Sequence, residues 1–338
     1  MFNLLLPRKP LRPSTQAAQL SPLGQPIPSI PPPNPPPQPT ATGLTQPQTG
    51  GLLRQMSAPD TLLRAWRKVK ANAGGAGVDG QSLAQFEDKL EANLTALHDE
   101  LLTNRYQPRQ VKRIFVPKSS GHWRALSLLT VRDRVAQRAA HDVLSPLYEP
   151  HFYTCSFGFR AGRSTRDAVQ AVQSHIQLGK GWVVDGDIKD CFDRIDHDLL
   201  LEAVQQRMGD PSVLDLIRRW LQAKVMNDWN PRASKIGVFQ GGALSPLLCN
   251  IYLHQFDRDL LAAHLSLVRY ADDWVILCHS QADANAAMTV AQTALQTLKL
   301  TINPYRTAIM SAEKGFQFVG AYFVANHLYW LNPTQEKV

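Results

Sequence analysis

Trp182-Val183-Val184-Asp185-Gly186-Asp187-Ile188-Lys189-Asp190 opens on three apolar residues and closes on spaced carboxylates. An apolar run of this kind has the pattern of a strand buried on both faces, and acidic residues where it ends mark a strand terminus that emerges at a polar site. Beyond it, two further apolar runs, Leu265 to Tyr270 and Trp274 to Cys278, flank Ala271-Asp272-Asp273. That is the pattern of a tight hairpin with two carboxylates at its tip. Asp187 and Asp272 are 85 positions apart (272 − 187), yet neighbouring strands of one sheet would bring Asp187, Asp272 and Asp273 together.

Outward from this centre, helices and antiparallel strands alternate. On the N-terminal side, apolar residues at three- and four-residue spacing predict a helix from Ser57 and a second one through Leu83, Phe86, Leu90, Leu94, Leu97 and Leu101. A hairpin follows, Val111 to Val116 against Trp123 to Leu129, with turn residues from Pro117 to Gly121, and then helices over 131–144 and 164–177. On the C-terminal side, helices are expected from Asp196 and Pro211 and a short strand near Ile236. A helix follows from Ser245 to about Ala262, with Ser245 as its cap and Pro246 in its first turn, and another spans 281–298. A strand pair, Phe316–Val324 and Leu328–Leu331, closes the series. Mixed helices and antiparallel strands define an α+β fold.

Residues 1–50 stand apart. They hold 14 of the 24 prolines, carry Arg8, Lys9 and Arg12 and contain no Asp or Glu. With too few large apolar residues to offset the ordering entropy, this stretch is expected to be an extended or disordered tail. Three regions follow: the tail 1–50, N-terminal helices and the hairpin over 51–180, and a region 181–338 built on the acidic strands.

Composition narrows the function classes. Across 338 residues the formal charge is +8, which favours a polyanionic partner such as nucleic acid. No pair among Cys155, Cys191, Cys249 and Cys278 has C-x-x-C spacing, so neither a zinc knuckle nor a redox disulfide is expected, and a reducing cytoplasm fits. No apolar run is long enough to span a membrane, and Met1 to Leu6 is too short for a signal-peptide core. Three converging carboxylates would repel one another unless divalent cations lay between them, and oxygen donors select Mg²⁺, with Mn²⁺ as a substitute. Two such ions about 3.5–4 Å apart support in-line phosphoryl chemistry, that is, nucleotidyl transfer.

Any one of these carboxylates alone would be an ordinary turn residue. Together with Tyr270-Ala271-Asp272-Asp273, however, the chain carries Asp187-Ile188-Lys189-Asp190-Cys191-Phe192-Asp193 and Gln240-Gly241-Gly242-Ala243-Leu244-Ser245-Pro246-Leu247. It also carries Gly77-Val78-Asp79-Gly80, Phe157-Gly158-Phe159-Arg160, Gly162-Arg163-Ser164 and Phe316-Gln317-Phe318-Val319-Gly320. In this order, over about residues 60–325, the chain resembles the reverse transcriptases, specifically the group II intron-encoded lineage and related bacterial enzymes.

The resemblance implies a right-hand polymerase with fingers and palm and an antiparallel palm sheet covered by helices; in a departure from the family, only Asn332 to Val338 follow the last expected strand pair, so no thumb is expected. It implies RNA-directed DNA polymerase activity on an RNA template, with a DNA or RNA primer and deoxynucleoside triphosphates. Asp187, Asp272 and Asp273 would be catalytic and, with Ile188, would hold the metal ions. Lys118, Arg124, Phe192, Gln240, Gly241 and Arg306 would contact the nucleotide, with Phe192 as the bulky gate against a ribose 2′-hydroxyl. Arg160 and Arg163 would contact the template. Ala125, Ser127 and Phe239 depart from the family's usual residues, as does Arg306-Thr307 in place of Lys-Thr. A guanidinium hardly releases a proton near neutral pH, so Arg306 is expected to neutralise charge rather than act as an acid. The likeness extends to free-standing members that serve CRISPR spacer acquisition and antiviral defence, where an integrase partner would complete the grip on the duplex. Two other readings fit the same residues: a catalytically silent polymerase-like scaffold for nucleic acid or protein, and a template-independent or DNA-templated nucleotidyltransferase.

Overall fold

The computed structural model describes residues 51–117, 123–227, 230–233 and 236–331. The expected tail over 1–50 and the turn bearing Lys118 lie outside the described residues. The helices are α1 Gly51–Ser57, α2 Pro59–Ala71, α3 Leu83–Glu87, α4 Leu90–Leu102, α5 Val131–Tyr148, α6 Thr165–Gln177, α7 Cys191–Arg194, α8 His197–Gln205, α9 Pro211–Leu221, α10 Ser245–Ala262 and α11 Gln281–Thr297. The strands are β1 Val111–Pro117, β2 Trp123–Leu128, β3 Trp182–Asp187, β4 Lys224–Asn227, β5 Asn230–Ala233, β6 Ser266–Tyr270, β7 Asp273–Cys278, β8 Ala308–Ser311, β9 Phe316–Phe318, β10 Ala321–Val324 and β11 His327–Trp330.

These strands form sheets in the orders β2-β1-β4-β5, β6-β7-β3-β8 and β11-β10-β9. The second is antiparallel throughout and carries the acidic strand end and the hairpin. Because side chains alternate across a strand, this sheet parts the apolar interior. Val184, Leu267, Trp274 and Ile276 face a large core shared with α10 and α11, and Val183, Val268, Val275 and Leu277 face a smaller one shared with α6, Phe316 and Phe323. Helices on both sides therefore hold the sheet rigid up to the end where the carboxylates emerge.

Local capping starts most helices where the sequence predicts. Ser164 with Asp167 and Ser280 with Asp283 form capping boxes for α6 and α11. Asp196 caps α8, and Asp210 caps α9 while its second oxygen accepts from the amides of Leu52 and Leu53 in α1. Among the described residues no helix is long and apolar enough to cross a membrane, and the four cysteines are free and buried.

Several expectations are corrected. The helix through Leu83 and Leu101 is two, because Lys89 leaves the helical region (φ −123°, ψ 35°). This lets Phe86 stack on Trp66 at 5.0 Å. The strand expected near Ile236 is instead the pair β4 and β5, upstream of it, and Ile236 is exposed in a bend. Ser245 does not cap α10: Leu244 occupies the cap position, and the Ser245 hydroxyl donates to the carbonyl of Phe239 at 2.7 Å. At the C-terminal end the strand pair is three strands, and β8, which the sequence pattern did not reveal, completes the central sheet.

Candidate active site

Asp187 is the last residue of β3 and stands opposite Asp273, the first of β7. The Asp187 amide donates to the Thr307 hydroxyl at 3.3 Å and its carbonyl accepts from the Asn303 amide at 2.8 Å, so both backbone groups turn away from β7. The Asp187/Asp273 pair is therefore of the closely spaced kind, in which same-face side chains approach most nearly. Lys189 bonds to the Thr301 carbonyl on that same outer side. By the alternation of a strand, the N–H and C=O of the intervening Ile188 face the hairpin instead.

The hairpin tip is Ala271-Asp272, between the paired residues Tyr270 and Asp273. Ala271 sits at φ 59°, a left-handed conformation that an L residue adopts only when its surroundings dictate it. The surroundings do so through Arg269, a fully buried side chain. Its guanidinium is held by both oxygens of Asp257 at 2.6 Å and donates to the Ala271 carbonyl at 2.9 Å, to Asn250 Oδ1 at 3.1 Å and to Ser156 Oγ at 2.8 Å. From the other side Gly158 presses on the turn: a Cβ there would lie 2.4 Å from the Ala271 nitrogen.

Around the carboxylates, Asn303 Nδ2 donates to Asp187 Oδ1 at 3.0 Å, while Arg306 Nη1 lies 2.6 Å from Asp187 Oδ2 and Nη2 lies 3.6 Å from Asp273 Oδ1. Burial, reinforced by the neighbouring Asp272, pushes the Asp273 carboxyl up to about 7 against the opposing pull of Arg306. Asp185, two residues up β3 on the same face, is likewise raised to about 7, by burial and then by Asp273. A cation is thus what this corner calls for, and Arg306 stands in for one. The donors are hard oxygens, which suit Mg²⁺. Among the described residues no group of three or more acidic, His or Cys side chains is already assembled as a metal cluster. The fit lies in the donor chemistry of Asp187, Asp272, Asp273 and the Ile188 carbonyl.

The expected nucleotide side adjoins this corner. The Phe192 carbonyl accepts from Val238 N–H at 2.7 Å, which lays residues 237–240 against α7. The Gln240 carbonyl then accepts from Ser127 N–H at 2.8 Å, and Gly241, at φ 109°, passes so near that a Cβ would lie 2.8 Å from the Ser127 carbonyl. Only glycine combines that φ with that approach. Arg124 falls in β2 opposite Val116, its side chain outside the described residues.

Arg160 requires a correction. Its side chain is 4% exposed, its Nε donates to Glu149 at 2.7 Å, and Nη1 donates to the carbonyls of Tyr153 and Ser156, each at 2.7 Å. It braces the loop beneath the hairpin and does not reach toward a template strand. Arg163 is half-buried and donates to the Thr154 and Ser156 carbonyls at 2.8 and 3.2 Å. Sequence reasoning missed Asn303, Thr307, Asn250, Asp257 and Arg269 as parts of the site. The clues were present in Arg269 beside the hairpin motif and Asn303 three residues before Arg306.

Comparison with known proteins agrees with this arrangement. Residues 116–323, more than half of the chain, match the family model described as reverse transcriptase (RNA-dependent DNA polymerase). Protein YkfC of Escherichia coli is 32% identical over 80% of this chain and 81% of its own length. The group II intron-encoded protein LtrA of Lactococcus lactis is 33% identical over 64% of this chain, which spans only 36% of LtrA. A telomerase structure from Candida albicans superposes on 75% of this chain and 50% of that one with a TM-score of 0.53 at 14% identity, a likeness of fold alone. The paired carboxylates thus sit in the palm of a chain that belongs to the reverse transcriptases.

Proposed function

We propose that this chain extends a primer on an RNA template by adding deoxynucleotides, with Asp187, Asp272 and Asp273 as the catalytic carboxylates. The observation that carries the reading is the register of β3 against β7, which sets Asp187 opposite Asp273 with Asp272 next to it on a turn held by buried groups. Asp187, Asp272, Asp273 and the Ile188 carbonyl would hold Mg²⁺. When bound, it would supply Lewis-acid stabilisation of the charge that develops during phosphoryl transfer. The chain's own residues do the rest. Asn303 and Thr307 fix the strand end that carries Asp187. Arg306 supplies positive charge beside the carboxylates, suited to a departing pyrophosphate. Phe192, half-buried behind the Gln240 loop, is the gate that favours a sugar lacking the 2′-hydroxyl, and Lys118 and Arg124 would grip the triphosphate. A protein partner belongs to this reading as its assembly step, with a CRISPR integrase as the expected one, and co-purification of the tagged chain with such an integrase checks it.

The test is extension of a DNA primer on RNA in the presence of Mg²⁺. The full chain should add deoxynucleotides, EDTA should abolish addition, and Asp187→Ala and Asp272→Asn should each reduce it to background. Activity that survives Asp272→Asn overturns the assignment. Equal addition on DNA templates, or without a template, favours the alternative nucleotidyltransferase.

A further inference from the structure

Phe159 is a large aromatic residue in an unusual place. Its backbone is left-handed at φ 62°, and its side chain is 51% exposed. A bulky residue rarely adopts that conformation, and half-exposure returns little of the burial energy that would offset it. Such strain persists where the neighbouring structure over-determines it, and it concentrates at functional sites.

The neighbours of Phe159 are held on both sides. The Phe157 amide donates to the Arg269 carbonyl at 2.9 Å, and the Gly158 carbonyl accepts from Asn250 Nδ2 at 2.9 Å. Gly158 lies against the Ala271 turn, and the buried guanidinium of Arg160 is tied to Glu149, Tyr153 and Ser156. The strained backbone aims the Phe159 ring at Phe192, with centroids 6.3 Å apart and planes at 78°, an edge-to-face pair. Phe159 thus connects the turn that presents Asp272 to the ring proposed as the sugar gate.

We infer that Phe159 is a specificity-determining positioning residue: it walls in the Phe192 ring so that the gate cannot swing aside for a ribose. This inference rests on reading Phe192 as the gate. A steric gate excludes a 2′-hydroxyl only as far as its own ring is kept from rotating, because a clash relieved by rotation costs little. The left-handed backbone at residue 159 and the bracing of its neighbours keep the wall itself from yielding. Removing the wall lowers the penalty for a ribonucleotide and leaves the deoxynucleotide, which meets no clash, nearly unaffected.

The experiment measures kcat/KM for one deoxynucleotide and its ribonucleotide counterpart in primer extension by the full chain. Phe159→Ala and Phe159→Gly should each raise the ribonucleotide-to-deoxynucleotide ratio by roughly two- to tenfold, the range that loss of an aromatic edge pair allows. Phe159→Gly separates ring from backbone, since glycine adopts positive φ readily and the variant should melt no lower than the parent. Phe159→Tyr keeps the edge contact and should keep the parental ratio. Phe192→Val should relax the ratio further, and adding Phe159→Ala to it should change nothing more. If Phe192→Val relaxes the ratio and Phe159→Gly does not, the inference is overturned while the gate stands. If Phe192→Val itself has no effect, the gate reading fails and the inference falls with it. A parental chain that adds no nucleotide sinks the polymerase reading and everything built on it.

Discussion

Asn303 Nδ2 donates to Asp187 Oδ1 at 3.0 Å, while Asn303 Oδ1 accepts from the Tyr305 amide at 3.2 Å. The second bond fixes which end of the amide is oxygen, so the first must be a donor to the carboxylate. Asp187 is thereby held in one orientation by a residue 116 positions away. Substituting a group that orients a metal-binding carboxylate typically costs about tenfold to a hundredfold in metal affinity. Asn303→Ala should therefore raise the Mg²⁺ concentration for half-maximal extension by about tenfold to a hundredfold. Asn303→Asp, which sets a like charge against Asp187, should be worse. A Mg²⁺ titration of primer extension reads both, and an unchanged midpoint in both variants would exclude the orienting role.

The Arg269–Asp257 pair is fully buried at both ends. Removing one partner leaves an uncompensated charge in the interior, at a cost of about 3–5 kcal/mol. Arg269→Ala and Asp257→Ala should each lower the unfolding free energy by that order in urea denaturation. The double variant should lose clearly less than the sum of the two, because the stranded charge is then gone. Additive losses would mean that the two groups are not coupled.

At Gly158 the question is steric. A Cβ would lie 2.4 Å from the nitrogen of Ala271, a backbone atom that cannot swing away as a side chain would. Gly158→Ala should therefore push the turn that carries Asp272. A displacement near 1 Å at a catalytic group costs on the order of a hundredfold in rate. The expected result is a fall in kcat of that order while the far-ultraviolet circular dichroism spectrum is retained. Full activity would mean that the turn is less tightly seated than its contacts indicate.

Asp185 contributes to a pH dependence that the likewise raised Asp273 shares. Burial, followed by the charge of Asp273, raises its carboxyl to about 7, so the folded chain keeps a proton that the unfolded chain releases near 4. The folded state is then favoured below the ordinary carboxylate range, and stability falls as pH rises from about 4 to about 7. In EDTA, Asp185→Asn should flatten that fall. At pH 7.5 it should raise Tm by roughly 1–2 °C, the shift about 1 kcal/mol produces in a chain of this size. Melting curves across that pH range check the slope, and a slope unchanged by the substitution would assign it to other groups.

What the amino-acid order determined unaided was whatever depends on near neighbours. Ser164 with Asp167, Ser280 with Asp283, Asp196 and Asp210 start helices through bonds spanning two or three residues, and the hairpin around Ala271-Asp272 needs only its flanking apolar runs. Asp187 at an acidic strand end was visible for the same reason. Tertiary structure alone decided which edges meet: β3 lies between β7 and β8, the latter a short strand with no clear alternation, and only that placement brings Asn303, Thr307 and Arg306 to Asp187. It also turned Arg160 from an expected template contact into a brace. A basic residue in a motif carries no sign of whether its donors end in solvent or on the carbonyls of Tyr153 and Ser156. Arg269 and Phe159 became legible in the same way, since burial against Asp257 and a ring edge against Phe192 are properties of chain segments packed together in space, on which local spacing imposes no constraint.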